Sequence, residues 1–190
     1  MRRITFAMAA MVAASTALQA QAPTVPKIEL RPFVGASVPT GDQRDLFADE
    51  PIFGLQAAVE VKPTFHVVSS FGWIPAESKY ALADNEANVF QYDMGVEFGL
   101  VRPLIGDWEL RPFLGLGAGG RTYTYAAEQL SNKTCLAGYG ALGSEFQLGR
   151  TAIRFEARDN VFCYKSPIEG ITSKTRNDVG LMLGLAYHFR

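Results

Sequence analysis

The chain is 190 residues long, with 18 Lys+Arg, 19 Asp+Glu and a formal net charge of −1. Hydrophobic residues make up 48%, aromatics 12% and charged residues only 19%, which excludes a basic nucleic-acid footprint and an acidic disordered tail. The length fits one domain, and no stretch beyond the N-terminus is long and apolar enough for a membrane helix.

Arg2 and Arg3 precede an apolar run, Ile4 to Leu18, that is too short for a spanning helix and ends at Ala20-Gln21-Ala22. This is the layout of a secretory signal peptide. It predicts residues 1–22 as the signal and 23–190 as an exported domain. Pro23 directly after the cut disfavours cleavage there, so a site one or two residues away is the alternative.

After Ala22 the pattern is strict alternation broken by turn-rich stretches, the signature of strands. Candidate strands fall at about 27–38, 52–62, 65–74, 88–100, 108–121, 136–148, 152–163 and 178–189. In the fourth, Phe90, Tyr92, Met94, Val96, Phe98 and Leu100 share one face and Gln91, Asp93, Gly95, Glu97 and Gly99 the other. Long polar connections (Pro39–Pro51, Pro75–Ala87, Thr122–Cys135, Tyr164–Asn177) alternate with short ones (Pro63-Thr64, Val101–Asp107, Leu148–Thr151). The expected fold is all-β, an eight-stranded antiparallel up-and-down barrel with long loops on one rim and tight turns on the other. Glu29-Leu30-Arg31-Pro32-Phe33-Val34-Gly35 returns as Glu109-Leu110-Arg111-Pro112-Phe113-Leu114-Gly115, by duplication or by convergence on one strand-start chemistry. A proline inside each run implies that pairing starts after it or that a bulge sits there.

The two faces differ in kind. One is rich in glycine and carries Lys27, Glu29, Arg31, Glu60, Lys62, Asp93, Glu97, Glu109, Arg111, Arg121, Glu145, Arg154, Glu156 and Arg158. Acids and bases nearly balance there, as an enclosed ionic lumen requires, because an unpaired buried charge is very costly. The other face is apolar, with Asp159 its one charge. Its aromatics gather near strand ends: Phe65, Phe98, Trp108, Phe146, Tyr187 and Phe189 at the turns, Phe53, Phe71, Trp73, Phe90 and Tyr92 at the loops. Two aromatic belts are what a bilayer's interfaces select, so the barrel is expected to be transmembrane.

The ending Gly184-Leu185-Ala186-Tyr187-His188-Phe189 resembles the C-terminal signal of bacterial outer-membrane barrels, with Met182 where a polar residue is usual and Arg190 after the last aromatic. With the signal peptide and eight strands, the chain resembles the small OmpA/OmpX-type barrels. That resemblance implies the bacterial outer membrane as location, membrane lipid as surroundings, and recognition of Gly184, Tyr187 and Phe189 by the barrel-assembly machinery. It implies no cofactor and no nucleic-acid partner.

Cys135 and Cys163 flank the sixth-to-seventh-strand hairpin with Gly149 midway, so the register predicts a disulfide at the loop rim; two unrelated free thiols are the alternative. No histidine accompanies them, which disfavours a metal role. His66 and His188 lie on the lumen parity near the turns, away from any Ser-His pairing, and are expected to be interior hydrogen-bonded groups. The Gly115–Gly120 run lacks the Lys-Ser/Thr and helix of a phosphate loop, and is expected to make lumen space for Arg and Tyr side chains. An eight-stranded lumen is filled by its own side chains. The loops Thr40–Pro51, Ala76–Asn88, Tyr125–Thr134 and Lys165–Asp178 are polar, with exposed apolar residues expected at Leu46, Phe47 and Ile168. Three functions fit: a non-enzymatic barrel serving envelope integrity or surface interaction through its loops, a lipid A-modifying enzyme, or a soluble lipocalin-like barrel. The loop ligand is not legible.

Overall fold

A computed structural model describes residues 27–45, 47–77, 86–126, 131–164 and 174–189. The expected signal peptide, Leu46, Ile168 and Arg190 lie outside the described residues. Eight long strands form: β1 Ile28–Pro39, β2 Glu50–Lys62, β3 Phe65–Glu77, β4 Glu86–Gly99, β5 Trp108–Tyr125, β6 Lys133–Leu148, β7 Thr151–Tyr164 and β8 Lys174–Phe189. Each pairs antiparallel with its chain neighbours, and β1 pairs with β8, so the sheet closes on itself and has no free edge. A two-residue bridge, Arg102–Pro103, lies against Leu110 and Glu109 in the β4–β5 connection. The two-residue turn Gly149-Arg150 places Gly149 at φ +63°, the left-handed region that glycine enters without steric cost.

Period-two chemistry puts one set of side chains in each strand inward and the other outward. The inward set holds every charged residue that is fully buried, while exposed large hydrophobics such as Val34, Leu114, Leu142, Phe155 and Leu183 cover the outside. On β5 the outward apolar run from Trp108 to Ala118 covers ten residue steps, about 25 Å along a barrel axis tilted about 40° from the strand. That matches the roughly 25 Å apolar band of a membrane barrel, and the polarity is inside out relative to a water-soluble protein. The fold is a transmembrane eight-stranded barrel. Above the band the outward positions turn polar, with Thr122 bonded to Thr134 at 3.0 Å and Tyr92 at 3.3 Å from Thr122. Asp159, also near this edge, accepts from Asn177 at 3.4 Å.

Several expectations shift. The ladder continues through Thr122–Tyr125, 133–135 and 174–177, which read as loop because polar residues occupy both faces there. Neither proline delays its strand: Pro32 pairs with Leu55 and Pro112 with Ser144. The ladder instead accommodates the missing N–H by a gap, since β1–β8 pairing skips Arg31 and Pro32, and Pro112 sits just past the last β4–β5 pair. The bulge lies at Val61, and it turns Lys62 outward, level with Phe65.

Phe47, expected on the surface, is buried. The first loop forms a short 3₁₀ turn, Gly41–Asp45, and then drops the Phe47 ring into the barrel mouth, 5.8 Å from Tyr123. The mouth is otherwise filled from the strands by Tyr125, Phe162 and Tyr164. The loop-side aromatic belt is also one-sided: outward Phe53, Phe71, Trp73, Phe90 and Tyr92 stand on β2–β4, with Phe53 and Trp73 6.0 Å apart and Phe71 and Phe90 6.3 Å apart.

The disulfide is not formed. Cys135 is buried and Cys163 is exposed. The β6–β7 turn contains two residues, so Leu148 pairs with Thr151 and Ala137 with Phe162. Carried to the loop rim, that register opposes an odd-numbered residue to an even-numbered one, and two odd-numbered cysteines must face opposite sides of the wall. Alkylation under non-reducing denaturing conditions is therefore expected to count two thiols, with gel mobility unchanged by reductant. For the outer face, Leu183→Arg at mid-strand should cost about 2–4 kcal/mol of folding stability in urea titrations of vesicle-refolded barrel, and Thr175→Arg at the rim under about 1 kcal/mol.

Candidate functional site in the barrel lumen

Reactive side chains of the described residues converge in the lumen, to which all eight strands contribute. Among the described residues, fully buried carboxylates are Glu29, Asp93, Glu97, Glu145, Glu156 and Asp178; fully buried guanidiniums are Arg31, Arg111, Arg121, Arg154 and Arg158. Glu97, inward on β4, is the hub. It receives Arg154 at 2.6 Å, Arg111 at 2.8 Å and Arg31 at 3.1 Å, from β7, β5 and β1. Arg154 also reaches Glu156 at 2.9 Å and Glu145 at 3.3 Å, and its guanidinium lies 3.6 Å over the Phe113 ring. Charge-assisted pairing of this kind offsets the desolvation that would otherwise forbid ions here.

The network runs on toward the loop rim. Arg158 donates to Glu156 at 2.7 Å and Asp93 at 3.2 Å, stacked 4.0 Å over Tyr139. Gln91 donates to Asp93 at 2.7 Å and accepts from Arg121 at 2.7 Å, and Arg121 pairs with Asp178, which also accepts from Asn160 at 3.0 Å. Gln56 of β2 donates to Glu156 at 3.1 Å. The aromatic cap begins at Arg121, whose guanidinium lies 4.5 Å from the centre of the Phe162 ring.

At the opposite end, Arg31 binds Glu29, and Glu29 Oε1 lies 3.2 Å from both His66 Nε2 and His188 Nδ1. Arg111 donates to His66 Nδ1 at 2.6 Å. Because an arginine only donates, His66 Nδ1 carries no proton and Nε2–H points at Glu29. Donor atoms of Glu29, Glu145 and His188 lie within 4.8 Å of one another, but the two carboxylates face opposite ring nitrogens, so a protonated His188 bridges them.

The glycines make room for this filling. A methyl on Gly117 would overlap the Tyr139 ring, and one on Gly143 the Phe113 ring, so each aromatic lies flat across a glycine of the paired strand. The space left over is small: two internal voids of about 10 Å³, one near Phe33 and Arg158 and one near Gln56 and Glu156, each room for about one water. A void of about 20 Å³ sits under Phe47. A larger cavity of about 160 Å³ opens at the turn rim beneath His66, Glu29 and His188.

Of the residues read as lumen-lining, Glu29, Arg31, Asp93, Glu97, Arg111, Arg121, Glu145, Arg154, Glu156 and Arg158 are brought together. Four stay at the turn rim instead. Glu109 is exposed, Lys62 is turned out by the bulge, and Lys27 pairs with Glu60 at 3.2 Å as a solvent-side ion pair. Parity sets the face but not the depth, and these positions lie too near the strand ends to be covered. Gln91 stands on the face that alternation assigns to the lumen; Gln56, Asn160 and Asp178 join it although they are absent from the charged set read there, Asp178 because it falls where the last strand meets its loop.

No family model matches the chain, and no curated protein matches it in sequence. Solved structures do match in fold. The Neisserial surface protein A superposes with a TM-score of 0.61 at 8% identity, covering 85% of this chain and 97% of that one. The N-terminal β-barrel domain of Pseudomonas aeruginosa OprF gives 0.53 at 12% identity, covering 86% and 97%. Ail, the attachment invasion locus protein of Yersinia pestis, gives 0.53 at 16% identity, covering 87% and 100%. The architecture is thus that of small outer-membrane barrels.

Removing one hub cation should expose the network's dependence on pairing. Arg154→Met is expected to cost about 3–5 kcal/mol in urea unfolding, because Glu97, Glu145 and Glu156 each lose a partner. Adding Glu156→Gln should recover part of that loss, and Lys27→Met in the exposed pair should cost under about 1 kcal/mol.

Proposed function

We propose that the exported chain is a non-enzymatic barrel of the bacterial outer membrane that serves envelope integrity or surface interaction through its loop rim. The observation that carries this reading is the filled lumen: above a cavity of about 160 Å³ at the turn rim, ions and aromatics occupy it up to the mouth, leaving voids of water size. A solute path would require dismantling a paired ionic network in a low-dielectric interior. The described histidines also argue against hydrolytic chemistry. His66 is fixed between Arg111 and Glu29, and His188 faces two carboxylates, so neither is paired with a serine nucleophile.

Membrane lipid is then the partner of the outer face, and the C-terminal strand is the segment offered to the barrel-assembly machinery. Tyr187 and Phe189 support this: both point outward on β8, their rings 4.8 Å apart, while Gly184 packs inward beside Phe33. The rigid scaffold leaves recognition to the loops. Expressed with its N-terminal segment in a Gram-negative host, the protein should fractionate with the outer membrane and shift mobility on boiling in SDS. Planar bilayers should show no unitary conductance steps, and lipid A mass spectra should not change on deletion. Recovery in the periplasmic fraction, resolved steps or altered lipid A would each overturn the proposal.

A further inference from the structure

We propose that the outer wall of β6 and β7 binds one lipid of the loop-side leaflet, its acyl chain in a lane of small residues and its head group carrying a protonated amine. The site rests on the lipid-facing reading of the outer wall and names the lipid that wall would hold. Three glycines of the described strands face outward: Gly120, Gly138 and Gly140. The Tyr92 ring covers Gly120, as Tyr139 and Phe113 cover the inward Gly117 and Gly143. Gly140 has nothing within 4 Å of where a Cβ would stand, and Gly138 only the backbone oxygen of Gly117 at 3.6 Å. Bare glycine inside a strand weakens it, and it marks a place where another molecule comes close to the backbone.

The register lines these glycines up with other small side chains. Asp159 pairs with Gly140 and Ala157 with Leu142, so Ser144, Ala157, Gly140 and Gly138 zigzag along the β6–β7 seam. At its inner end the lane widens into an open groove of about 680 Å³, walled by Leu142, Phe146, Phe155, Leu181 and Leu183. That end, Ser144, pairs with Pro112, near the middle of the outward run Trp108–Ala118. From Ser144 to Gly138 the lane covers six residue steps, about 15 Å along the barrel axis, one leaflet's half of a hydrocarbon core of roughly 30 Å. A second barrel packed wall to wall would press on the whole apolar height. A single chain from the loop-side leaflet ends where this lane ends.

The head end of the lane carries a charge signal. Asp159 is exposed there, and Asn177 donates to its Oδ1 at 3.4 Å. Among the described residues no base shares its face on β5–β8; the outward neighbours at this level are Thr122, Thr134, Thr175 and Asn177. A carboxylate beside the apolar layer repels a phosphate and attracts a cation. An ammonium head group supplies both the opposite charge and N–H donors, which strengthens the hydrogen bond.

The test refolds the full barrel in neutral detergent with chelator, adds equal amounts of phosphatidylethanolamine, phosphatidylcholine and phosphatidylglycerol of one chain composition, and counts retained lipid by native mass spectrometry. One phosphatidylethanolamine per barrel is expected, favoured about threefold over the choline lipid, which has no N–H donor, and over the glycerol lipid, which has no positive charge; the ratio is that of an exposed ion pair. Asp159→Asn should abolish the preference among heads. Gly140→Leu with Ala157→Leu should fill the lane and remove the retained lipid whatever its head, while Leu55→Ala on the opposite wall should change nothing. Boiling-dependent gel mobility identifies folded variants, and the isosteric Asp159→Asn decides the matter if the lane variant fails to fold. Equal retention of the three heads, a preference that survives Asp159→Asn, or a lipid that survives lane filling overturns the site. So does a dimer that lane filling splits, since a second copy is then the occupant. A barrel that fractionates with the outer membrane yet retains no lipid overturns this site alone, whereas recovery in the periplasmic fraction overturns the lipid-facing reading beneath it.

Discussion

Everything inside this barrel depends on one constraint: no charge in the lumen is tolerable alone. The interior is narrow and dry, so each ion must recover from neighbouring ions what it loses in hydration. The solution is a continuous chain in which Arg31, Arg111 and Arg154 share Glu97, Arg154 and Arg158 share Glu156, and Arg121 closes on Asp178. Because the partners sit on different strands, the pairing also fixes which strand faces which across the lumen. A slip of one residue in any strand would carry its ions to the lipid face. The cost of burial thereby becomes a penalty against wrong registers.

The repeated Glu-Leu-Arg-Pro-Phe segment gains a physical meaning from this arrangement. Arg31 and Arg111 reach the same carboxylate from strands on opposite sides of the barrel, and Phe33 and Phe113 each cross a glycine on the paired strand, Gly54 and Gly143. The aromatic covers the bare backbone and gives the guanidiniums a flat surface, as Arg154 over Phe113 shows. The two copies are not equivalent, however. Glu29 is buried under the histidines while Glu109 remains in solvent, so the turn-rim floor exists on one side only.

How much of this was legible from the sequence follows from what alternation encodes. Period two distinguishes faces, and it placed Glu29, Arg31, Glu97, Arg154 and Glu156 inside and Phe98 and Tyr187 outside. It is blind to depth, which is why Lys27 and Glu60 were grouped with the plug although they meet at the solvent edge. It is also unforgiving at turns. Reading the β6–β7 turn as centred on Gly149 rather than between Gly149 and Arg150 is a half-residue error, yet it reverses the relative facing of Cys135 and Cys163. Phe47 failed for a different reason: it lies in a loop, where no periodicity applies, and its burial comes from tertiary contact with Tyr123.

The outer surface carries an asymmetry of its own. Loop-side aromatics stand outward on β2–β4, and Trp73 fixes its indole by donating to Asn88 at 2.8 Å. On β5 and β6 the same level is a hydroxyl ladder, Tyr92–Thr122–Thr134, and on β7 and β8 it is Asp159 with Asn177. Indole and phenyl rings favour the headgroup boundary, whereas a carboxylate is tolerated only where the apolar layer has ended. The apolar layer must therefore reach the ring-bearing wall at the height of Trp73 and leave the opposite wall below Asp159. The two walls thus mark the loop-side boundary by different chemistry, one by anchoring rings within it and the other by a polar collar above it. This fixes the barrel's depth even though its lumen offers no further constraint.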